Sequence, residues 1–355
     1  MSHNNTHLVR KMKGSEMREE TGERYCSLDE LKLFMSGTFV EIGMMSDDAD
    51  FMADVILSAE MSGHDCHGLR RFPEYVDSGR RGPCIPSARL HIERDRGSTV
   101  IANGNRGFGN IILRDATKIA IKRAKLHGVS AITVKGSDAG GRLADYCEIA
   151  AEAGVATIFL ANESGGGQQV APPGGIEPRL STNPIAFGIP RAKAPHLILD
   201  MATSAVSHGR LSEAKDRGEP LPDTWTNGFG ALRPFGGYKG FGLAVIVEAF
   251  AGALTSGGTV KRDPKSENQA FLLIAIDVAR FRDTVEFSAE VERFIAYVKD
   301  VPLENEAKEV RMPGEGGRLG SSRSGSRGIL VRPFLVDRIK DAVRGLDISL
   351  PTSMV

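Results

Sequence analysis

The sequence lacks the features that would direct it to nucleic acid, a membrane or the secretory route. Lys plus Arg and Asp plus Glu number 45 each, so no excess charge of one sign favours such a partner. No apolar run is long enough for a membrane span, and the polar first twenty residues lack the apolar core of a signal peptide. The four cysteines are scattered without CxxC spacing, which is typical of reduced thiols. We therefore expect a cytoplasmic protein with no nucleic-acid or membrane partner.

Glycine, in contrast, is abundant, with 41 residues in the chain, and much of it separates segments of helical or strand periodicity. Ser27 and Glu30 have the spacing of a capping box at the start of a helix. The pattern predicts helices over 46–62, 111–127, 143–153, 200–217, 243–255, 287–299 and 333–345. It predicts strands within 88–103 and over 129–134, 155–162, 185–190, 197–200 and 271–278.

The stretch 63–75 carries the densest set of reactive side chains. Its first nine residues include two imidazoles, a thiol, a carboxylate and two guanidiniums. A helical turn would align His67, Arg71 and Tyr75, because they lie four residues apart. Pro73 is compatible with this turn only near the start of a helix. The stretch favours general acid–base chemistry by His67 on a small anion held by Arg71, against the alternative of a structural histidine.

Other readings of the motifs are weaker. His64 and His67 could ligate a metal, but the remaining histidines are isolated, so no metal site is predicted. The stretch 200–204 could hold a phosphate at a helix start or simply cap that helix. Ser204 lacks the G-x-S-x-G elbow of a hydrolase nucleophile, although His208 lies one turn away. No G-x-G-x-x-G follows a strand, so an ordinary Rossmann domain is not indicated.

Several stretches in order resemble the malate/L-lactate dehydrogenase family of non-Rossmann nicotinamide enzymes, over nearly the whole chain after residue 25. The stretches are Gly63-His64-Asp65-Cys66-His67-Gly68, Ala171-Pro172-Pro173-Gly174-Gly175, Ser181-Thr182-Asn183-Pro184-Ile185-Ala186-Phe187, Asp200-Met201-Ala202-Thr203-Ser204 and Gly237-Tyr238-Lys239-Gly240-Phe241-Gly242-Leu243.

The resemblance implies a mixed α/β fold with a non-Rossmann nicotinamide-binding domain and a helical N-/C-terminal lobe. We expect the chain to divide into a disordered leader (1–25), an N-terminal helical lobe for the substrate (26–100), a cofactor-binding domain (101–260) and a C-terminal segment (261–355). That last segment is expected to pack back on the N-terminal lobe.

The resemblance also implies hydride transfer between NAD or NADP and a small 2-hydroxy or 2-keto acid, in a homodimer with sites between subunits. His67 and Arg71 take the catalytic positions. Cys66, where the family usually has serine, and Tyr75 are expected at the substrate. The expected cofactor-binding residues are Asp200, Met201, Ala202, Thr203, Ser204, Ala205, Val206, Tyr238, Lys239, Gly314, Glu315 and Gly316.

One departure from the family pattern concerns a second histidine, usually found in an Asn-Ser-x-His-x-Gly loop. The matching loop here is 136–142, and the histidine position is occupied by Ala139. Alanine can neither transfer a proton nor donate a hydrogen bond to a keto oxygen, and loss of such a group typically lowers the rate by about 10²–10⁴-fold. The departure leaves open a catalytically impaired relative that still binds a dinucleotide.

Overall fold

A computed structural model describes residues 24–262, 268–304, 309–317 and 328–354. It has a mixed α/β architecture, as expected. The helices are α1 Leu28–Glu41, α2 Ser46–Met61, α3 Phe72–Arg81, α4 Gly109–His127, α5 Ala144–Glu152, α6 His208–Asp216, α7 Tyr238–Val247, α8 Thr284–Lys299 and α9 Pro333–Val343. The strands are β1 Arg24–Cys26, β2 His91–Asp95, β3 Thr99–Asn103, β4 Val129–Ser137, β5 Val155–Glu163, β6 Ile185–Ile189, β7 Leu197–Met201, β8 Gln269–Asp277 and β9 Ile329–Val331.

The large sheet has the strand order β2-β3-β4-β8-β5-β6-β7. Only β3 and β4 pair in parallel, and the other neighbours pair antiparallel. A Rossmann domain has a mostly parallel sheet, so this topology confirms the non-Rossmann prediction. Strand β8 lies at the centre between β4 and β5, which explains its almost continuous apolar run.

A helical lobe is built from both ends of the described chain. Its core joins buried side chains of α1, α2 and α3 to those of β9 and α9, with Phe34, Phe39, Phe72 and Phe108 in ring contact. Ser27 caps α1 by accepting the Glu30 N–H at 3.1 Å, which confirms the predicted helix cap. The Glu30 carboxylate accepts the Thr352 N–H, so the reciprocal bond of the capping box stays a prediction. The lobe therefore depends on segments far apart in the sequence.

The predicted domain division can be compared with this architecture at the leader and at the C-terminal segment. Residues 1–23 of the predicted leader lie outside the described residues, whereas Arg24 and Tyr25 pair with strand β9. The segment after residue 260 contributes β8 to the centre of the sheet and its last part to the helical lobe. The boundaries at residues 100 and 260 stay a prediction.

The predicted start of the helix at Asp200 is wrong. Strand β7 continues to Met201, and the chain then stays extended, with the Thr203 N–H donating to Thr182 O at 2.9 Å. Helix α6 begins only at His208, and Ser207 is its cap, accepting the Arg210 N–H at 3.2 Å. The Asp-Thr-Ser pattern looks like a cap, but backbone groups of Thr182, Arg233 and Phe235 bind this segment instead.

Helix α7 also begins earlier than predicted, at Tyr238 rather than Leu243. The glycines of this stretch suggested a loop. Gly236 and Gly237 do form a turn with positive φ, but Gly240 lies inside the helix. A Cβ on Gly240 would lie 2.4 Å from Thr203 O, so this glycine allows the helix to pack closely on the extended segment. Within the described residues, no helix is long and apolar enough to cross a membrane.

Candidate active site

A cavity of about 820 Å³ lies where the helical lobe meets the sheet. Its wall combines the turn after α2, the loop that follows β4, the end of β7, the start of α6 and the segment 311–317. This volume is near the upper end of the range for small-molecule sites. The cavity is therefore large enough for an extended ligand beside a small one.

His67, Arg71 and Tyr75 all line this cavity. Leu69–Arg71 form a 3₁₀ turn that leads into α3, and Pro73 lies in the first turn of that helix, where it breaks no hydrogen bond. The Arg71 guanidinium lies over the Tyr75 ring, 5.5 Å from its centroid, and pairs with Glu74. The structure thus brings together the imidazole, the cation and the phenol that the sequence spacing aligned.

The electrostatic surroundings keep His67 uncharged. Burial, and then the charge of Arg71, lower the pKa of His67 to about 3. A buried imidazole beside a guanidinium is neutral at physiological pH and can accept a proton. A bound carboxylate would offset the Arg71 charge and so raise the pKa of His67 toward its ordinary range.

Glu60, at the end of α2, fixes the turn that carries His67 and Arg71. Its Oε2 accepts the Leu69 N–H at 2.8 Å. A Cβ on Gly68 would lie 2.1 Å from the same oxygen, so only glycine leaves room for this carboxylate. Burial, together with the nearby Asp65, raises the pKa of Glu60 to about 7.

Cys66 lines the cavity beside the start of α6. A Cβ on Gly209 would lie 1.9 Å from Cys66 Cβ, so the close approach of the two segments requires glycine there. Burial raises the pKa of the Cys66 thiol, and a hydrogen bond with Ser207 offsets part of this effect. The thiol is therefore a neutral group at this wall of the cavity.

The predicted cofactor-binding residues separate into three sets. Asp200, Met201, Ala202, Gly314 and Gly316 line the cavity that contains His67. Ala205 lines a second cavity of about 700 Å³. The residues that line neither of these two cavities are Thr203, Ser204, Val206, Tyr238, Lys239 and Glu315.

Structural contacts explain much of this separation. The Thr203 hydroxyl donates to Thr182 O at 3.0 Å, and the Ser204 hydroxyl donates to Val206 O at 2.7 Å. Both side chains are buried, so their hydroxyls stabilise the extended segment. The hydrolase reading of Ser204 is therefore wrong, because a hydrolase nucleophile must reach a substrate.

Two predicted carboxylates are likewise engaged. Asp200 Oδ2 accepts the Ala144 N–H at 2.9 Å and so caps the start of α5; burial raises the pKa of Asp200 to about 6. Glu315 accepts from Lys299 Nζ at 2.7 Å and from the Met312 N–H at 3.0 Å, which holds the segment 311–317 against α8.

Sequence reasoning assigned no site role to several polar side chains that line the cavity, among them Arg142, His208 and His64. Arg142 follows the glycine loop in which the family histidine is replaced, so its position in that loop was an available signal. His208 bonds Gln169 Oε1 through Nδ1 at 2.6 Å, and His208 had been considered only with the hydrolase reading. His64 lines the same cavity. Among the residues that the structure describes, no cluster of three or more His, Cys, Asp or Glu side chains could hold a metal.

Ala139 lies at the cavity wall, but its neighbour Asp138 does not line the cavity. The Cys84 thiol donates to Asp138 Oδ2 at 2.9 Å. Asp138 is thus held on the side of Cys84 and does not replace the missing histidine.

A mixed sheet beside a helical lobe, with a buried imidazole and a guanidinium in one cavity, defines a non-Rossmann α/β enzyme. The family model described as malate/L-lactate dehydrogenase matches residues 26–340. The chain belongs to this family of hydroxy-acid oxidoreductases, and membership implies a nicotinamide cofactor.

Individual relatives agree with this assignment. The L-sulfolactate dehydrogenase of Methanothermobacter thermautotrophicus is 34% identical over 86% of this chain and 92% of its own length. The L-lactate dehydrogenase of Cupriavidus necator is 30% identical over 87% of this chain and 94% of its own length. The crystal structure of malate dehydrogenase from Entamoeba histolytica matches with a TM-score of 0.86 and 26% identity, over 93% of this chain and 99% of that chain.

The raised pKa of Glu60 predicts a specific pH dependence of stability. A carboxyl with a raised native pKa contributes fully below its unfolded value of 4.5, and this contribution is lost as the pH rises through about 7. The loss is on the order of 3 kcal/mol. The melting temperature of the wild type should therefore lose this contribution between about pH 4.5 and pH 7, and that of Glu60→Gln should fall less over this window. The exposed Glu41→Gln control should follow the wild type. Parallel curves for wild type and Glu60→Gln would refute the assignment.

Proposed function

We propose that the chain oxidises a small 2-hydroxy acid to the 2-keto acid, and catalyses the reverse reduction, in the cavity that contains His67. The observation that supports the proposal most directly is that a neutral imidazole and a guanidinium line the same cavity. The hydroxy-acid dehydrogenases among its relatives support the substrate class.

In this proposal Arg71 binds the substrate carboxylate. Its planar guanidinium suits bidentate recognition, and Glu74 and the Tyr75 ring hold it in place. His67 accepts the proton of the substrate hydroxyl during oxidation and returns it to the keto oxygen during reduction. Tyr75 and Cys66 complete the wall around the substrate as neutral groups.

The cavity also fits a nicotinamide cofactor, NAD or NADP. Glycine backbone lines it at Gly140 and Gly141 and at Gly314, Gly316 and Gly317, where a ligand can approach the main chain closely. Met201, Ala202, Gly314 and Gly316 would hold the cofactor, and Asp200 would act by fixing α5. The bound nicotinamide supplies hydride acceptance or donation at the substrate carbon.

We further propose that the chain is a homodimer assembled through α7 and the π-helix Glu248–Ala253 that continues it. Ile246, Phe250 and Leu254 are spaced four residues apart and are 50%, 45% and 58% exposed. A helix with exposed apolar side chains on its outer face is typical of a protein–protein interface. Tyr238, which is 76% exposed, and Lys239 begin this helix, so we assign them to the subunit interface beside the cofactor.

The catalytically impaired alternative depended on Ala139 alone. The cavity keeps His67, Arg71 and a further guanidinium, so an active enzyme is the better-supported proposal. The expected cytoplasmic location belongs to the same proposal, and the four free cysteines support it.

Replacement of His67 by alanine tests the proton-transfer role. We expect turnover of 2-keto acids to fall at least about 10³-fold, because the proton acceptor is lost, while cofactor affinity changes little. Turnover is measured from the absorbance of the reduced nicotinamide in a screen of keto acids with both cofactors. Cofactor affinity is measured by fluorescence titration. His127→Ala, on the exposed end of α4, is the matched control and should be fully active. Unchanged turnover in His67→Ala would reject the role, and a wild type that binds cofactor but reduces no keto acid would favour the impaired alternative.

Replacement of Phe250 by aspartate tests the dimer. A carboxylate in an apolar interface costs several kcal/mol of association free energy, so Phe250→Asp should become monomeric at micromolar concentration. Light scattering after size exclusion should give the wild type a mass of twice 38.2 kDa. Phe281→Asp alters a side chain that is 69% exposed in a different part of the chain, and should stay dimeric. A monomeric wild type, or a dimeric Phe250→Asp, would contradict the proposed interface.

A further inference from the structure

Arg142 is a second buried guanidinium in the cavity that contains His67. The residue is only 9% exposed, yet it lines the cavity wall. Its Nη2 donates to Ser58 Oγ at 3.0 Å and pairs with the equally buried Asp145. The side chain is thus held rigidly by α2 on one side and by α5 on the other.

The hydrogen bonds of Arg142 use only part of its donor capacity. A guanidinium has five N–H groups, and among the described residues only Nη2 has partners. Nε is buried with no acceptor among the described residues. A buried cation with unused donors is costly unless a ligand completes its hydrogen bonding. Arg142 therefore lines the cavity with part of its donor capacity unused.

Arg142 lines the same cavity as His67 and Arg71. Burial is the largest cause of the lowered pKa of His67, and the charges of Arg71 and then of Arg142 add to it. A substrate with its reacting carbon at His67 and its carboxylate at Arg71 would therefore share the cavity with the Arg142 guanidinium.

We propose that Arg142 is a specificity-determining residue that binds a second anionic group of the substrate, a carboxylate or a sulfonate. The inference rests on the proposed function and narrows its substrate class to 2-hydroxy and 2-keto acids with a negative charge at both ends. Asp145 and Ser58 orient the guanidinium. The carboxylate of Asp200, an acidic residue of the same cavity, already accepts a hydrogen bond from the Ala144 N–H.

The test compares 2-keto acids that differ in the second anionic group. Oxaloacetate carries a second carboxylate, sulfopyruvate carries a sulfonate, and pyruvate carries neither. We expect the wild-type kcat/KM to be about 10- to 100-fold higher for at least one of the two dianionic acids than for pyruvate, since a hydrogen bond to a charged group is worth that factor. The dianionic acid with the higher kcat/KM shows whether the site prefers a carboxylate or a sulfonate.

The decisive variant is Arg142→Met combined with Asp145→Asn, because removing the guanidinium alone would leave a buried carboxylate unpaired. We expect this variant to lose about 10- to 100-fold in kcat/KM for the preferred dianionic acid and to stay within about threefold for pyruvate. Arg142→Lys keeps the charge but loses the planar, bidentate donor geometry of the guanidinium. It should therefore lower the preference for the dianionic acid over pyruvate by a smaller factor of about 3 to 10. Arg142→Lys also decides the question if the double variant does not fold.

The matched control is Arg114→Met. Arg114 is 12% exposed and pairs with Asp48, like Arg142 with Asp145, but it does not line the cavity. Its removal should leave the preference unchanged. An unchanged preference in the double variant or in Arg142→Lys, or an equal loss for pyruvate, overturns the inference while the proposed function stands. A wild type that reduces none of the three acids refutes the proposed function itself.

Discussion

The His67 imidazole lies half-buried next to the Arg71 guanidinium, so protonating it would place a second positive charge beside an existing one. The pKa of about 3 expresses this constraint together with burial. Glu74 already pairs with Arg71. A substrate carboxylate at Arg71 would add a further negative charge, so substrate binding and the basicity of His67 are coupled electrostatically.

The rest of the molecule keeps this arrangement rigid. Glu60 holds the turn between His67 and Arg71 through the Leu69 N–H, and Gly68 leaves room for that carboxylate. The helical lobe that carries this turn is completed by β9 and α9 from the other end of the chain. The sheet contributes the opposite wall through the loop after β4 and the end of β7. The position of His67 therefore depends on contacts spread over most of the chain.

Local chemistry could be predicted from the sequence, and long-range pairing could not. The helix cap at Ser27, the helical periodicity of α4 and the nearness of His67 to Arg71 are short-range properties, and the structure agrees with each. The central place of β8 was inaccessible, because strand order depends on contacts with segments more than a hundred residues away.

The errors at the cofactor segment come from contacts with distant residues. Asp200, Thr203 and Ser204 form a good helix-cap pattern, but backbone groups of Thr182, Arg233 and Phe235 bind the segment 203–205 before a helix can begin. Glycine was read as loop around Gly240, although here it permits close packing of a helix. The loop that contains Arg142 was singled out in the sequence, but the burial of Arg142 beside Asp145 is not visible there.

The most direct test of the account is the protonation state of His67, measured by NMR on histidine-labelled enzyme with the His67→Gln spectrum as the assignment. We predict that His67 stays neutral at pH 5 in the free enzyme, and that a carboxylate-bearing substrate analogue bound with the cofactor raises its pKa. A free-enzyme midpoint near the ordinary histidine value of about 6.5, unaffected by the analogue, would contradict the account.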